Sequence, residues 1–195
     1  TYARVFEKTV RDLEGVVRRW GKGIVIAENP FPDPKSVSVN SNPDFVREVI
    51  EAADVGFLLD VSHARLSARK LGMGECEYLM KLPLERTKEI HITGIKRLEG
   101  EWMEKLLENR PKEFDITEYL GREIDHQSLS EDDFYFLAHI YRLIEKGICR
   151  EPWIASLEHG GLGPFWELSL DEKVLAEQVP RLYNMTHSVK VKEKA

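Results

Sequence analysis

The chain is poor in cysteine, with Cys76 and Cys149 as its two. They lie far apart and form no CxxC pair, which excludes the common zinc-ribbon and dithiol redox motifs. Both read as reduced thiols with structural roles in a cytoplasmic protein. No apolar stretch approaches the roughly 20 residues of a membrane-spanning helix, so no membrane partner is expected. The opening residues, TYARVFEKTV, are polar and amphipathic and do not read as a signal peptide. Basic charge is not in excess: 28 Lys and Arg stand against 34 Asp and Glu, a net charge of −6. A phosphate backbone wants a basic surface, so nucleic acid is not expected as a partner. The one basic stretch, Lys190 to Lys194, reads as part of a solvated tail over 186–195. Internal repeats and low-complexity tracts are absent, and so is an initiating Met; the natural N-terminus is expected upstream.

What is present suits an ordinary globular fold. With 42% hydrophobic residues, the 195 residues are enough for a single domain with a real core. Helical periodicity marks residues 2–20, with Val5, Leu13, Val16, Val17 and Trp20 on one side. It predicts further helices over 43–54, 74–81, about 101–108, 130–147 and 171–184. Asn42 or Asp44 can cap the second, and Ser130 with Asp133 makes a capping-box variant at the start of 130–147. Between the helices lie short apolar runs: Ile24–Ala27, Val55–Leu59, Glu89–Ile92 and Trp153–Leu157. Runs without polar alternation predict strands buried on both faces, as in a parallel sheet. Residues 98–121 read as an insertion. Strand–helix alternation predicts an α/β fold of the TIM-type (β/α) barrel kind. Four strands cannot close a barrel, so the chain is expected to supply about its C-terminal half, or its sheet edges to be covered by partners.

The chemistry sits where the strands end. The first run ends in Glu28, the second in Asp60, the third carries His91 and the fourth ends in Glu158. Side chains at the C-terminal ends of barrel strands converge on one mouth. Buried carboxylates are costly unless paired or bound to a cation. Several of them with an imidazole therefore point to a metal, and mixed oxygen and nitrogen donors favour iron, manganese or zinc over calcium. His63, three residues past Asp60, can face the same cation. Each residue also has a plainer role: Glu28 before Asn-Pro as a strand terminator, Asp60 as a helix cap, His63 in a loop, His91 in the core. Asp125 and His126 are adjacent, and neighbours on an extended strand point opposite ways, so at most one is expected to face the site. His139 and His187 read as structural or surface residues.

The segments ENP (28–30), LLDVSHARLSA (58–68), LPLERTKEIHITG (82–94) and ASLEHGGLGP (155–164) occur in that order. This ordered set resembles the multinuclear non-haem iron-dependent oxidative enzymes typified by the methanobactin-biosynthesis iron oxidase. The resemblance covers most of residues 20–165. It implies a barrel related to xylose isomerase and endonuclease IV that holds two or three iron ions. It implies metal ligands at Glu28, Asp60, His91 and Glu158, with His63 where relatives carry Asn or His. The family's Asp-x-His segment meets Asp125-His126 without a spacer here, and of the two His126 is assigned to the site. Relatives act on peptides with dioxygen, and a partner protein usually presents the peptide.

The function expected from the sequence is thus a metal-dependent, iron-based oxidoreductase acting on a peptide or small-molecule substrate. One alternative is a Zn or Mn enzyme of the sugar-isomerase or phosphodiester-hydrolase kind. Another is a non-catalytic binding protein built on a degenerate barrel. The exposed sheet edges leave room for an oligomer.

Overall fold

The structure, a computed structural model, describes residues 2–33, 38–109, 117, 120–160 and 172–188. The chain forms two compact units, one from residues 1–92 and 146–156 and the other from 93–145 and 157–195. The insertion expected over 98–121 and the tail expected over 186–195 fall partly outside the described residues.

The first unit opens with α1 (Tyr2–Trp20), followed by β1 (Ile26–Glu28), α2 (Pro43–Ala53), β2 (Gly56–Asp60), α3 (Val61–Leu71), α4 (Glu75–Lys81) and β3 (Thr87–Ile92). Asn42 caps α2 by accepting from the Asp44 amide, and Pro43 occupies the first turn, where a missing N–H costs nothing. β1, β2 and β3 pair in parallel, with Glu28 level with Leu58 and Asp60 level with His91. β6 (Ile154–Leu157) lies beyond β3 in the order β1-β2-β3-β6. This is a mixed α/β architecture with a parallel sheet, as the alternation predicts.

Burial departs from expectation at the two outer strands. β2 is buried throughout, but β1 is half-buried to exposed and β6 is exposed at Ile154. A continuous apolar run implies burial on both faces only where neighbours flank the strand on both sides, and these two end the sheet order. α1 likewise has no buried residue, although Phe6 and Tyr2 meet Phe45 of α2 edge-on at 6.3 and 5.3 Å. Val16 and Trp20, expected on its inner side, are exposed.

α3 was not predicted. Its residues are buried nearly all round, including Ser62, Arg65 and Ser67, so no amphipathic stripe betrays it. It begins at the Asp60 cap and ends at Gly72, whose left-handed backbone returns its N–H to the carbonyls of Ala68 and Arg69. The Arg65 guanidinium stays buried because Glu75 of α4 pairs with it at 2.6 Å, and Arg69 joins the same carboxylate at 2.7 Å.

The second unit contains β4 (Gly94–Arg97), α5 (Gly100–Asn109), β5 (Glu123–Gln127), α6 (Glu131–Glu145) and α7 (Glu172–Ser188). β4 and β5 form an antiparallel pair, which simple strand–helix alternation did not anticipate. The capping box at α6 is present: the Asp133 carboxylate accepts from the Ser130 amide and hydroxyl, each at 2.7 Å. Gln178 of α7 hydrogen-bonds both the amide and the carbonyl of Leu129.

Gly94 closes the EIHITG segment, and a Cβ built there would lie 2.1 Å from the Ser128 carbonyl oxygen. The clash is with backbone, so no side-chain adjustment relieves it. Gly94→Ala should lower stability by about 2 kcal/mol or more, measured by denaturant unfolding. The cysteines differ as well. Cys149 is buried, and burial raises its thiol to about 11, while Cys76 is exposed. A thiol reagent at neutral pH should label Cys76 quickly and Cys149 only on unfolding.

Candidate metal centre

The parallel register brings three strand ends together. Glu28 ends β1, Asp60 ends β2, and His91 sits level with Asp60 on β3. One ligand atom from each lies within 4.8 Å of the others. Two further side chains hold this arrangement.

The first is Asn29. Its amide oxygen accepts from the Asp60 N–H and its amide nitrogen donates to the Asp60 carbonyl, both at 2.9 Å. The pair of bonds continues the β1–β2 ladder by one step, through a side chain in place of backbone. Asn29 is only 1% exposed, and without it two buried backbone groups of Asp60 would lose their partners. The sequence offers Glu28 as a ligand or, before Asn-Pro, as a strand terminator, and gives Asn29 no role of its own. The signal available was an Asn directly after a strand-end acid.

The second is Glu89, also missed. It lies two residues before His91, and alternate residues of a strand share a face. Its carboxylate is 3.2 Å from His91 Nε2. A proton on Nε2 directed at Glu89 leaves the lone pair on Nδ1, which is 3.8 Å from Glu28 Oε1. A carboxylate that orients an imidazole through its far nitrogen is the usual support for a metal-binding histidine.

Asp60 combines its two readings. It is fully buried, and its Oδ1 accepts from the Ser62 hydroxyl and the His63 amide, both at 2.8 Å. That oxygen caps α3. Its Oδ2 is buried with no hydrogen-bond partner among the described residues. A buried carboxylate oxygen left without a donor is costly, and this one belongs to the Glu28–His91 cluster. The residues present therefore fit a cation.

His63 stands beside them on the first turn of α3, not in a loop. Its Nδ1 is 2.9 Å from the Asn29 carbonyl, an acceptor, so Nδ1 carries the proton. Its Nε2 is 3.7 Å from Asp60 Oδ2, and Phe31 packs edge-on against the ring at 5.5 Å.

His126 and Glu158 belong to the second unit. There His126 Nε2 lies 3.9 Å from a Glu158 oxygen and 3.8 Å from an Asp125 oxygen. The Gly160 amide donates to the His126 carbonyl at 3.1 Å. The expectation that Asp125 and His126 point opposite ways fails for a local reason. Pairing shifts between Gly94 and Lys96, so two β4 steps oppose three on β5. The extra residue makes a bulge, and His126 adopts φ 57°. A non-glycine residue there is strained. Asp125 is buried while His126 is partly open. His139 lies on α6, its Nε2 buried without a hydrogen-bond partner among the described residues.

The site thus combines two carboxylates with an imidazole, the imidazole steadied by a third carboxylate and the strand ends clasped by an amide. Residues 25–109 match the family of RiPP precursor modification enzymes MbnB/TglH/ChrH. This is the family that the ordered motifs resemble, and the matched stretch contains Glu28, Asp60, His63 and His91. Curated relatives include a UPF0276 protein of Anaeromyxobacter sp. (strain Fw109-5), 43% identical over 51 residues, which are 26% of this chain and 18% of that protein. Another is a UPF0276 protein of Paraburkholderia phytofirmans, 39% identical over 57 residues, 29% of this chain and 19% of that protein. The chain thus spans under a fifth of the length of the curated relatives it matches.

The two roles of Asp60 separate by mutation. Asp60→Asn keeps a capping oxygen, whereas Asp60→Ala removes it, so the alanine variant should be less stable by about 1 kcal/mol. In metal-free protein the asparagine variant should be at least as stable as the parent, because an unpartnered buried charge is gone. Urea unfolding of the three proteins checks both outcomes.

Proposed function

We propose that Glu28, Asp60 and His91 hold a metal ion, with His63 beside them, in an iron-dependent oxidative enzyme that modifies a peptide. The observation that carries this is Asp60 Oδ2, a fully buried carboxylate oxygen without a donor, grouped with a second carboxylate and an imidazole. Mixed oxygen and nitrogen donors suit iron, manganese or zinc. Similarity over residues 25–109 to RiPP precursor modification enzymes supports a peptide substrate and, through the resemblance, iron. The family's barrel and a cluster of two or three ions belong to this proposal too, with His126 and Glu158 as further ligands.

The chain's own residues would divide the work. Glu28 and Asp60 supply negative charge that offsets the cation, and His91 supplies a neutral nitrogen whose direction Glu89 holds. Asn29 keeps the two strand ends at fixed separation. Glu28 is the exposed member of the three, so the site opens to solvent on its side, where a substrate would approach. A bound iron would supply the redox chemistry with dioxygen as oxidant.

Metal analysis of anaerobically purified full-length protein tests this. Iron should co-purify with the parent and fall to background in a Glu28→Gln/His91→Gln double variant that remains folded. Zinc, with turnover independent of oxygen, would overturn the iron assignment in favour of a hydrolase or isomerase. No metal at all would favour a binding protein.

A further inference from the structure

At the other end of the sheet of the first unit, where the strands begin, lies a hollow of about 310 Å³. Lys22, Arg86, Lys88 and Arg150 line it, with Asp54 as the acidic member among the described lining residues. Four cations against one carboxylate is unusual company on a chain with net charge −6.

Local structure sets these groups in place. Asp54 ends α2 in a left-handed conformation, φ 50°, and its carboxylate bridges Lys22 and Arg86, the latter at 2.8 Å. The hydrogen bond from Lys22 and that from Arg86 hold its carboxyl below the usual range, so it is a spent anion. Lys88 runs its stem over Gly56, where a Cβ would come within 2.6 Å of the lysine Cδ. Its ammonium donates to the Gly23 carbonyl at 2.9 Å and lies 4.8 Å from the centre of the exposed Trp153 ring. An ammonium has three donors, so Lys88 keeps capacity for a ligand. The Arg150 guanidinium makes no hydrogen bond or ion pair among the described residues.

Lys88, anchored on the Gly23 carbonyl, and Arg150 therefore remain as positive charge in the hollow after Asp54 has been shared out. Like charges held together are costly unless a counter-charge meets them, and a guanidinium with an ammonium matches a tetrahedral oxyanion. We propose that this hollow binds a phosphate-type oxyanion, either the free ion or a phosphoryl group on a larger molecule. The site is independent of the metal centre and does not rest on it.

Calorimetric titration at low salt with inorganic phosphate, and separately with phosphoserine, tests it. Saturable binding of phosphate identifies the free ion as sufficient, and binding of phosphoserine alone identifies a carried phosphoryl group. In both cases Arg150→Gln, an exposed and structurally idle position, should weaken binding roughly tenfold. Because phosphate can also meet a metal, the Glu28→Gln/His91→Gln variant serves as control and should bind undiminished. The proposal is overturned if neither probe saturates, if Arg150→Gln binds like the parent, or if binding disappears with the metal-centre variant.

Discussion

A carboxylate buried to 0% exposure must find a partner for each oxygen or bear a heavy desolvation cost. Asp60 meets that constraint in two ways at once. One oxygen starts α3 by taking the Ser62 hydroxyl and the His63 amide. The other has no donor among the described residues and lies in a cluster with Glu28 and His91. The backbone of the same residue is clasped by Asn29. Helix start, strand register and the direction of the second oxygen are thus fixed at one residue. His63 follows from this, because capping α3 at Asp60 puts it on the first turn with its ring over Asn29 and Phe31.

The surrounding structure keeps the strand ends level. Parallel pairing sets Asp60 beside His91, and β1 places Glu28 within reach of both. Around β2, α3 is locked to α4 by Glu75, which answers two arginines. In the second unit a bulge does comparable work. An extra residue on β5 holds His126 in a left-handed conformation and brings it near Asp125 and Glu158. The two ends of the sheet differ in charge: acids and imidazoles where strands finish, lysine and arginine where they start.

Much of this was legible in the sequence. Helices at 2–20, 43–54 and 130–147 announced themselves through periodicity and caps, and the structure has them at Tyr2–Trp20, Pro43–Ala53 and Glu131–Glu145. Glu28, Asp60 and His91 were readable because apolar runs end at or carry them. What escaped was whatever broke a simple period. α3 is buried nearly all round and so shows no stripe. The β5 bulge defeats the two-residue alternation that strand reading relies on. Asn29 and Glu89 act through other residues, and only their spacing, one after Glu28 and two before His91, hinted at them. Burial of β1 and β6 was overestimated because a run of apolar residues says nothing about which strand ends a sheet.

The central claim is that Asp60 Oδ2 lacks a hydrogen-bond donor because a cation is its partner. A crystal structure of anaerobically prepared full-length protein, with anomalous scattering measured at the iron absorption edge, tests it most directly. The account predicts a peak bonded to Asp60 Oδ2, a Glu28 oxygen and His91 Nδ1. A map with no peak there, and with a water or a protein donor on Oδ2 instead, would contradict it.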